Sequence, residues 1–76
     1  MAHVFVHTHT AGKTDWNNQG RDFTRVPVVG EYFALEATGE WYRVELVVHC
    51  PFTAEYEAEV YGVQVDHAEE IKKATG

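Results

Sequence analysis

The sequence predicts a mainly β protein, a small and strongly bent antiparallel sheet or barrel of about five strands with a short C-terminal helix. Three observations predict this fold. Short runs of β-branched and aromatic residues alternate between two faces, turns containing Gly or Pro separate these runs, and a capped helical pattern occurs near the C-terminus. Bending the sheet into a barrel removes exposed strand edges. A flatter sheet with the helix across one face is the alternative.

The first strand is predicted over residues 3–10, where three histidines and Phe5 occupy one face and the other face is small and apolar. Residues 11–20 concentrate Gly, Asn, Asp, Lys and Thr, which predicts an exposed loop. Trp16 lies at the centre of this loop without periodic apolar neighbours. Either the loop folds back onto the sheet or the indole ring contacts a partner.

Two shorter segments are predicted to follow. Residues 23–29 are extended but contain Pro27, which donates no ladder hydrogen bond, so they are predicted to be an edge strand or to enter a turn. Residues 32–36 lead into a predicted hairpin turn at residues 37–40, where Gly39 would supply a positive φ.

The core strand is predicted over residues 41–50 and ends before Pro51. Strict alternation assigns one set of side chains to the core face and the other set to the outer face. The core set is Tyr42, Val44, Leu46, Val48 and Cys50, and the outer set is Trp41, Arg43, Glu45, Val47 and His49.

The last strand is predicted over residues 56–65, after a loop at residues 52–55, and Gly62 is expected to mark a bulge. Asp66 and Glu69 form a capping-box pattern that predicts a helix of about two turns. Ile71 and Ala68 are expected to dock this helix on the sheet.

The runs VPVVGEYFAL, GEWYRVELVVHCP and AEVYGVQVD occur within residues 26–66. This arrangement resembles small uncharacterised bacterial and phage proteins with SH3-like β-barrels. The resemblance implies an SH3-like barrel and brings no activity with it.

Composition narrows the possible functions. The chain has 12 acidic and 6 basic residues, a net charge of −6, and no apolar stretch long enough to span a bilayer. Residues 31–76 hold ten acids and three bases. We therefore expect one cytoplasmic domain over residues 1–76 that binds neither membranes nor nucleic acid directly, because nucleic-acid affinity comes mostly from basic side chains.

An enzymatic function is not expected. The chain has no serine, no Gly-rich phosphate loop and a single cysteine, Cys50, which is predicted to be a small buried core residue. His49 lies next to Cys50 but on the opposite face of a regular strand, so it is not placed to activate the thiol.

A metal site is a secondary hypothesis. His3, His7 and His9 share one strand face, and residues two apart on a strand are about 6.7 Å apart, a spacing at which imidazoles converge on one ion. His49, His67 or a carboxylate would complete such a site with zinc or another transition metal.

An acidic stripe is predicted where Glu55, Glu57 and Glu59 alternate along one face of the last strand. With Trp16, Trp41 and Tyr61 as aromatic anchors, this stripe predicts a surface that binds a protein partner with a basic surface. The alternative is a solvated strand face with these aromatic rings finishing the core.

The sequence therefore predicts a non-catalytic acidic protein-binding module without a cofactor. A more specific form is a phage or mobile-element inhibitor that occupies the basic nucleic-acid-binding surface of a host defence complex. A metal-binding protein with a His-rich strand face and a subunit of a small homo-oligomeric barrel are the alternatives.

Overall fold

The structure, a computed structural model, describes residues 1–52 and 54–76. The chain forms one curled sheet followed by a helix, and the sheet turns through 212° into a half-barrel. The mainly β prediction with a short C-terminal helix is confirmed. In chain order the elements are β1 (Ala2–Thr10), β2 (Asn17–Phe23), β3 (Tyr32–Ala34), β4 (Trp41–His49), β5 (Ala58–Val65) and α1 (His67–Thr75).

The strands lie in the order β2-β1-β5-β4-β3. Three neighbouring pairs are antiparallel, whereas β1 and β5 pair in parallel along Val4–Thr10 and Ala58–Gln64. Parallel neighbours need a long crossover connection, and here β2, β3 and β4 supply it. The fully antiparallel arrangement predicted from sequence is therefore wrong for the central strand pair, which joins the two ends of the chain.

One face of the sheet, the inner face, forms the hydrophobic core. Val4, Val6, Val44 and Val60 are fully buried on it. The two edge strands also meet on this face, because the rings of Phe23 on β2 and Phe33 on β3 have centroids 5.8 Å apart. Since strands from opposite edges touch across it, the inner face is the concave side of the half-barrel.

Gly62 allows this inner core to close. A Cβ atom at Gly62 would lie 2.9 Å from the ring of Phe33, closer than real Cβ contacts. The predicted bulge lies on the neighbouring strand instead. Val44 is opposite Gly62 and Leu46 is opposite Tyr61, so Glu45 is the extra residue of β4.

The bulge at Glu45 reverses the predicted faces in the second half of β4. Leu46 and Val48 were predicted to enter the core, yet they are 53% and 40% exposed. Val47, predicted to face outward, packs against the core cluster. An extra residue in one strand shifts the alternation of all residues after it, which explains the error.

Several predicted boundaries also differ. The predicted loop at residues 11–20 contains the start of β2, because the polar residues 17–20 pair with β1. Residues 24–31 are not a strand. Gly39 does not have a positive φ, which is found instead at Gly12 and Gly30. The turn predicted at residues 52–55 includes Thr53, which lies outside the described residues.

Arg25 and Glu31 brace the segment that connects β2 to β3. The Arg25 guanidinium donates two hydrogen bonds to the Glu31 carboxylate, and the backbone N–H of Val28 donates a third. These bonds, led by those from Arg25, lower the pKa of Glu31 to about 2. Pro27 is buried within the same segment.

Helix α1 is capped as predicted, because the Asp66 carboxylate accepts hydrogen bonds from the N–H groups of Ala68 and Glu69. Its predicted docking is wrong, since Ala68 is exposed and Ile71 is 46% exposed. A hydrogen bond from Tyr32 to Glu70 and a contact between His67 and Trp41 connect α1 to the sheet. Within the described residues, no helix has the length and apolarity needed to cross a membrane.

Candidate functional site

The convex side of the sheet, the outer face, carries the polar and aromatic side chains of β1. Because β1 alternates strictly, its inner-face valines leave His3, Phe5, His7 and His9 on the outer face. His7 is buried and the other three are half-buried. Within the described part of the chain, every fully buried side-chain nitrogen or oxygen atom has a hydrogen-bond partner.

Each histidine of β1 contacts a carboxylate from a different strand. The distance from His3 Nδ1 to Asp22 Oδ1 on β2 is 2.7 Å, and His7 Nε2 lies 2.9 Å from Glu59 Oε1 on β5. His9 Nε2 lies 2.8 Å from Glu45 Oε1 on β4. We call these three pairs the histidine–carboxylate row, and they connect β1 to every strand of the sheet except β3.

His9 has hydrogen-bond partners that require both of its ring nitrogens to donate. Its Nε2–H donates to the Glu45 carboxylate, and its Nδ1–H donates to the backbone oxygen of Lys13 at 3.2 Å. Neither partner has a proton to give, so this geometry favours the imidazolium form over the neutral ring. The Glu45 hydrogen bond accordingly raises the pKa of His9 above its ordinary 6.5, against partial burial, which lowers it.

Glu45 reaches His9 across the outer face of the sheet. β5 lies between β1 and β4, so the contact crosses a whole strand. Alternation along β4 already directs Glu45 outward, and as the bulge residue it lies on this face next to Leu46. Sequence reasoning missed this pair because alternation assigns the faces of each strand but does not give the order of the strands.

Aromatic rings form a continuous layer above the histidine–carboxylate row. Tyr56 stacks on His3 and on Phe5, with ring centroids 4.7 and 4.8 Å away. Tyr61 stacks on His7 at 4.4 Å. Gly20 leaves room for this layer, since a Cβ there would lie 2.8 Å from the Tyr56 ring.

Trp16 completes the layer from the loop between β1 and β2. Its ring lies 4.3 Å from that of His9 and 5.6 Å edge-on from that of Tyr61. The loop therefore folds back onto the sheet, one of the two outcomes considered from the sequence. The ring nevertheless remains 42% exposed.

The six residues predicted to bind a partner do not form one cluster. Trp16 and Tyr61 touch, and Glu59 lies on the same face but bonds to His7. The predicted acidic stripe on a single strand is wrong, because β5 begins at Ala58 and leaves Glu55 and Glu57, both exposed, outside it. Trp41 instead lies against His67 of α1.

Exposed apolar side chains of β4 lie beside Tyr61, whose ring contacts that of Trp16. Leu46 pairs in register with Tyr61, and Val48 follows two residues later on the same face. We call Trp16, Leu46, Val48 and Tyr61 the outer apolar patch. Glu45 and Glu59 border it, with 40% and 36% of their side chains exposed. One sequence signal was available for this patch, because Leu46, Val47 and Val48 are consecutive apolar residues that strict alternation does not explain.

The histidines proposed as metal ligands point to different carboxylates. Across residues 1–52 and 54–76, no group of three or more His, Cys, Asp or Glu side chains is arranged to hold a metal ion. His7 is bonded at both nitrogens, to Asn18 at 2.5 Å and to Glu59. Cys50, expected to be buried, is half-buried and is a free thiol.

Comparisons with known proteins return no relative. No family model, curated protein or solved structure matches the chain. The resemblance to SH3-like barrel proteins therefore stays a prediction, and any functional argument depends on the geometry of the outer face.

Proposed function

We propose that this protein is a non-catalytic module that binds a basic protein partner through the outer apolar patch and the carboxylates around it. One observation carries the proposal. Leu46 and Val48 are 53% and 40% exposed on the outer face of β4, and Leu46 lies in register with Tyr61, whose ring touches the exposed ring of Trp16. An apolar centre with aromatic side chains and a polar rim is the usual anatomy of a protein interface.

The charge of the chain supports a basic partner. The chain carries a net charge of −6, and ten of its twelve acidic residues lie in residues 31–76. Glu55 and Glu57 are exposed just before β5, and Glu45 and Glu59 border the patch. A partner surface lined with Lys or Arg is attracted by this field and is favoured over neutral or acidic surfaces.

The more specific form of the proposal is an inhibitor, such as a phage protein, that covers the nucleic-acid-binding surface of a host complex. Duplex DNA presents one charge per about 1.7 Å, whereas alternate residues of one strand are about 6.7 Å apart. Glu55 and Glu57 lie outside β5, so one strand does not provide the charge density. Mimicry of DNA would use carboxylates from the β4–β5 surface and α1 together.

Affinity capture from lysate of the native host tests the proposal, with nuclease added to remove nucleic acid. The test variant is Glu55→Lys/Glu57→Lys, which spares Glu59 because that carboxylate bonds to His7. Glu36→Lys/Glu40→Lys is the matched control, since it changes net charge equally at exposed residues of the β3–β4 connection.

We expect the unchanged protein and the control to retain a nuclease-resistant basic partner, and the test variant to bind at least tenfold more weakly. Binding should also fall as salt rises. Equal loss in both double variants would show that net charge alone matters. An affinity for the partner that neither double variant nor added salt changes would contradict the proposal.

A further inference from the structure

β3 is shorter than β4, so the second half of β4 forms an edge of the sheet. This edge differs from the opposite edge, which β2 forms. β3 pairs only with Trp41–Arg43, and residues 30 and 31 extend this pairing to Val44. The turn that precedes residue 32 carries the chain away from the sheet at this point. In this turn the N–H of Glu31 donates to Val28 O, and Gly30 has a φ of +93°. The rest of β4, up to His49, lies beyond this turn.

Hydrogen-bond directions show which backbone groups lie on that edge. The N–H of Cys50 donates to Glu57 O at 2.9 Å, toward β5. Successive residues of a strand direct their N–H and C=O groups to opposite sides, so those of Val47 and His49 point away from β5. Among the described residues, no backbone hydrogen bond reaches these outward groups from β3 or from a loop.

Side chains make this edge unusually apolar. Leu46 and Val48 are exposed beside it on the outer face. The other edge strand, β2, is polar over residues 17–19, and its Arg21 donates to Leu35 O across the open side of the half-barrel. Proteins normally protect an edge with charges or a covering segment, so an uncovered apolar edge indicates a docking site.

We propose that residues 46–49 of β4 bind an extended segment of a basic partner as a sixth strand of the sheet. This inference rests on the proposed function and specifies how the partner docks. Main-chain hydrogen bonds to Val47 and His49 would supply affinity, and Leu46 and Val48 would contact alternate apolar side chains of the segment.

Charge favours a basic segment over a second copy of this chain. Each copy carries −6, so two copies repel when their β4 edges approach. Glu45 and Glu59 bond to histidines of β1, on the side away from this edge, so a lysine-bearing strand beside β4 is attracted by the net charge of −6. The basic residue of β4, Arg43, lies outside residues 46–49, where the partner strand would pair.

The test uses a synthetic hexapeptide that alternates valine and lysine, titrated into the ¹⁵N-labelled protein. The control peptide has the same sequence with every backbone N–H methylated, so it keeps all side chains and charges but cannot donate strand hydrogen bonds. We expect the amides of Val47 and His49 to shift and to become protected from hydrogen exchange, while those of β2 are unchanged. The control peptide should bind at least tenfold more weakly.

His49 offers a matched pair of variants because its side chain is exposed and its N–H points outward. His49→Pro removes the outward donor, whereas His49→Ala removes the same imidazole and keeps the donor. We expect His49→Pro to weaken peptide binding at least tenfold and His49→Ala by less than twofold. Should His49→Pro fail to fold, amide protection in the unchanged protein decides the question.

The outcomes separate this inference from the proposed function. Peptide binding that leaves the Val47 and His49 amides unprotected overturns strand addition and leaves the outer apolar patch as the binding surface. Dimerisation through the β4 edge, detected by light scattering without peptide, assigns the edge to a second copy and also overturns it. Absence of both peptide binding and a captured basic partner contradicts both proposals.

Discussion

The two faces of the sheet use the same strands for different purposes. On β1, Val4 and Val6 are fully buried on the inner face, while the alternate residues His3, Phe5, His7 and His9 carry imidazole and aromatic rings on the outer face. The inner face is aliphatic and closed by Phe33 over Gly62. The outer face combines hydrogen-bonded histidine–carboxylate pairs with exposed apolar side chains.

The energetics of the two faces differ for a physical reason. Burial of apolar area stabilises by roughly 25 cal/mol per Å², and it depends little on solution conditions other than temperature and denaturant. Partly exposed ion pairs contribute about 0–1 kcal/mol and respond to salt and pH. We therefore expect the inner face to determine stability and the outer face to determine how the protein responds to its surroundings.

The largest expected effect comes from replacing one phenylalanine on each face. Phe33→Ala removes a ring that contacts both Phe23 and Tyr42 in the core, and we expect a loss of about 3–5 kcal/mol in the free energy of unfolding. Phe5→Ala removes a half-buried outer ring stacked on Tyr56, with an expected loss of about 1–2 kcal/mol. Urea denaturation followed by circular dichroism measures both.

Phe33→Leu serves as a milder control if Phe33→Ala does not fold, and it should still cost more than Phe5→Leu. Equal losses at the two positions would show that the outer aromatic layer is a second core and would end the proposed division between the faces.

A smaller effect tests the bulge in β4. Val47→Thr places a hydroxyl group against the core cluster, and we expect it to cost about 1 kcal/mol. Val48→Thr makes the same change at an exposed position and should alter stability by less than about 0.5 kcal/mol. Both substitutions retain a β-branched side chain, so the difference in urea midpoint reports burial.

The reverse result, a larger cost at Val48 than at Val47, would restore the strict alternation that the sequence predicted. It would also remove Val48 from the outer apolar patch, and with it one of the contacts of the proposed function.

The smallest expected effect is a pH dependence from His9. Because the pKa of His9 is raised in the folded protein, its contribution to stability is complete below about pH 6.5 and is lost as pH rises through the folded-state pKa. We expect a chemical-shift titration of the His9 ring to show this raised pKa. In Glu45→Ala, which lacks the main hydrogen-bond partner, the pKa should fall.

A His9 pKa that is the same in the unchanged protein and in Glu45→Ala would contradict the contact across β5.

Local patterns predicted most of the elements, since alternation identified the faces of β1 and the Asp66 cap identified α1. They did not predict that β1 and β5 pair in parallel, because neither strand contains a signal for a neighbour as far along the chain as Ala58 is from its partner Val4. Alternation also failed after Glu45, because a bulge depends on the register of the neighbouring strand and not on the bulged strand alone.

The candidate site shows the same division. The sequence by itself determined a β-rich acidic chain, the histidine face of β1 and the exposure of Glu55 and Glu57, because these follow from residue type and spacing. Only the tertiary structure decided which carboxylate each histidine contacts, that Leu46 and Val48 face outward, and that, among the described residues, part of β4 has no partner strand beyond the end of β3. Those features depend on strand order, register and sheet curvature, which arise when distant segments pack together.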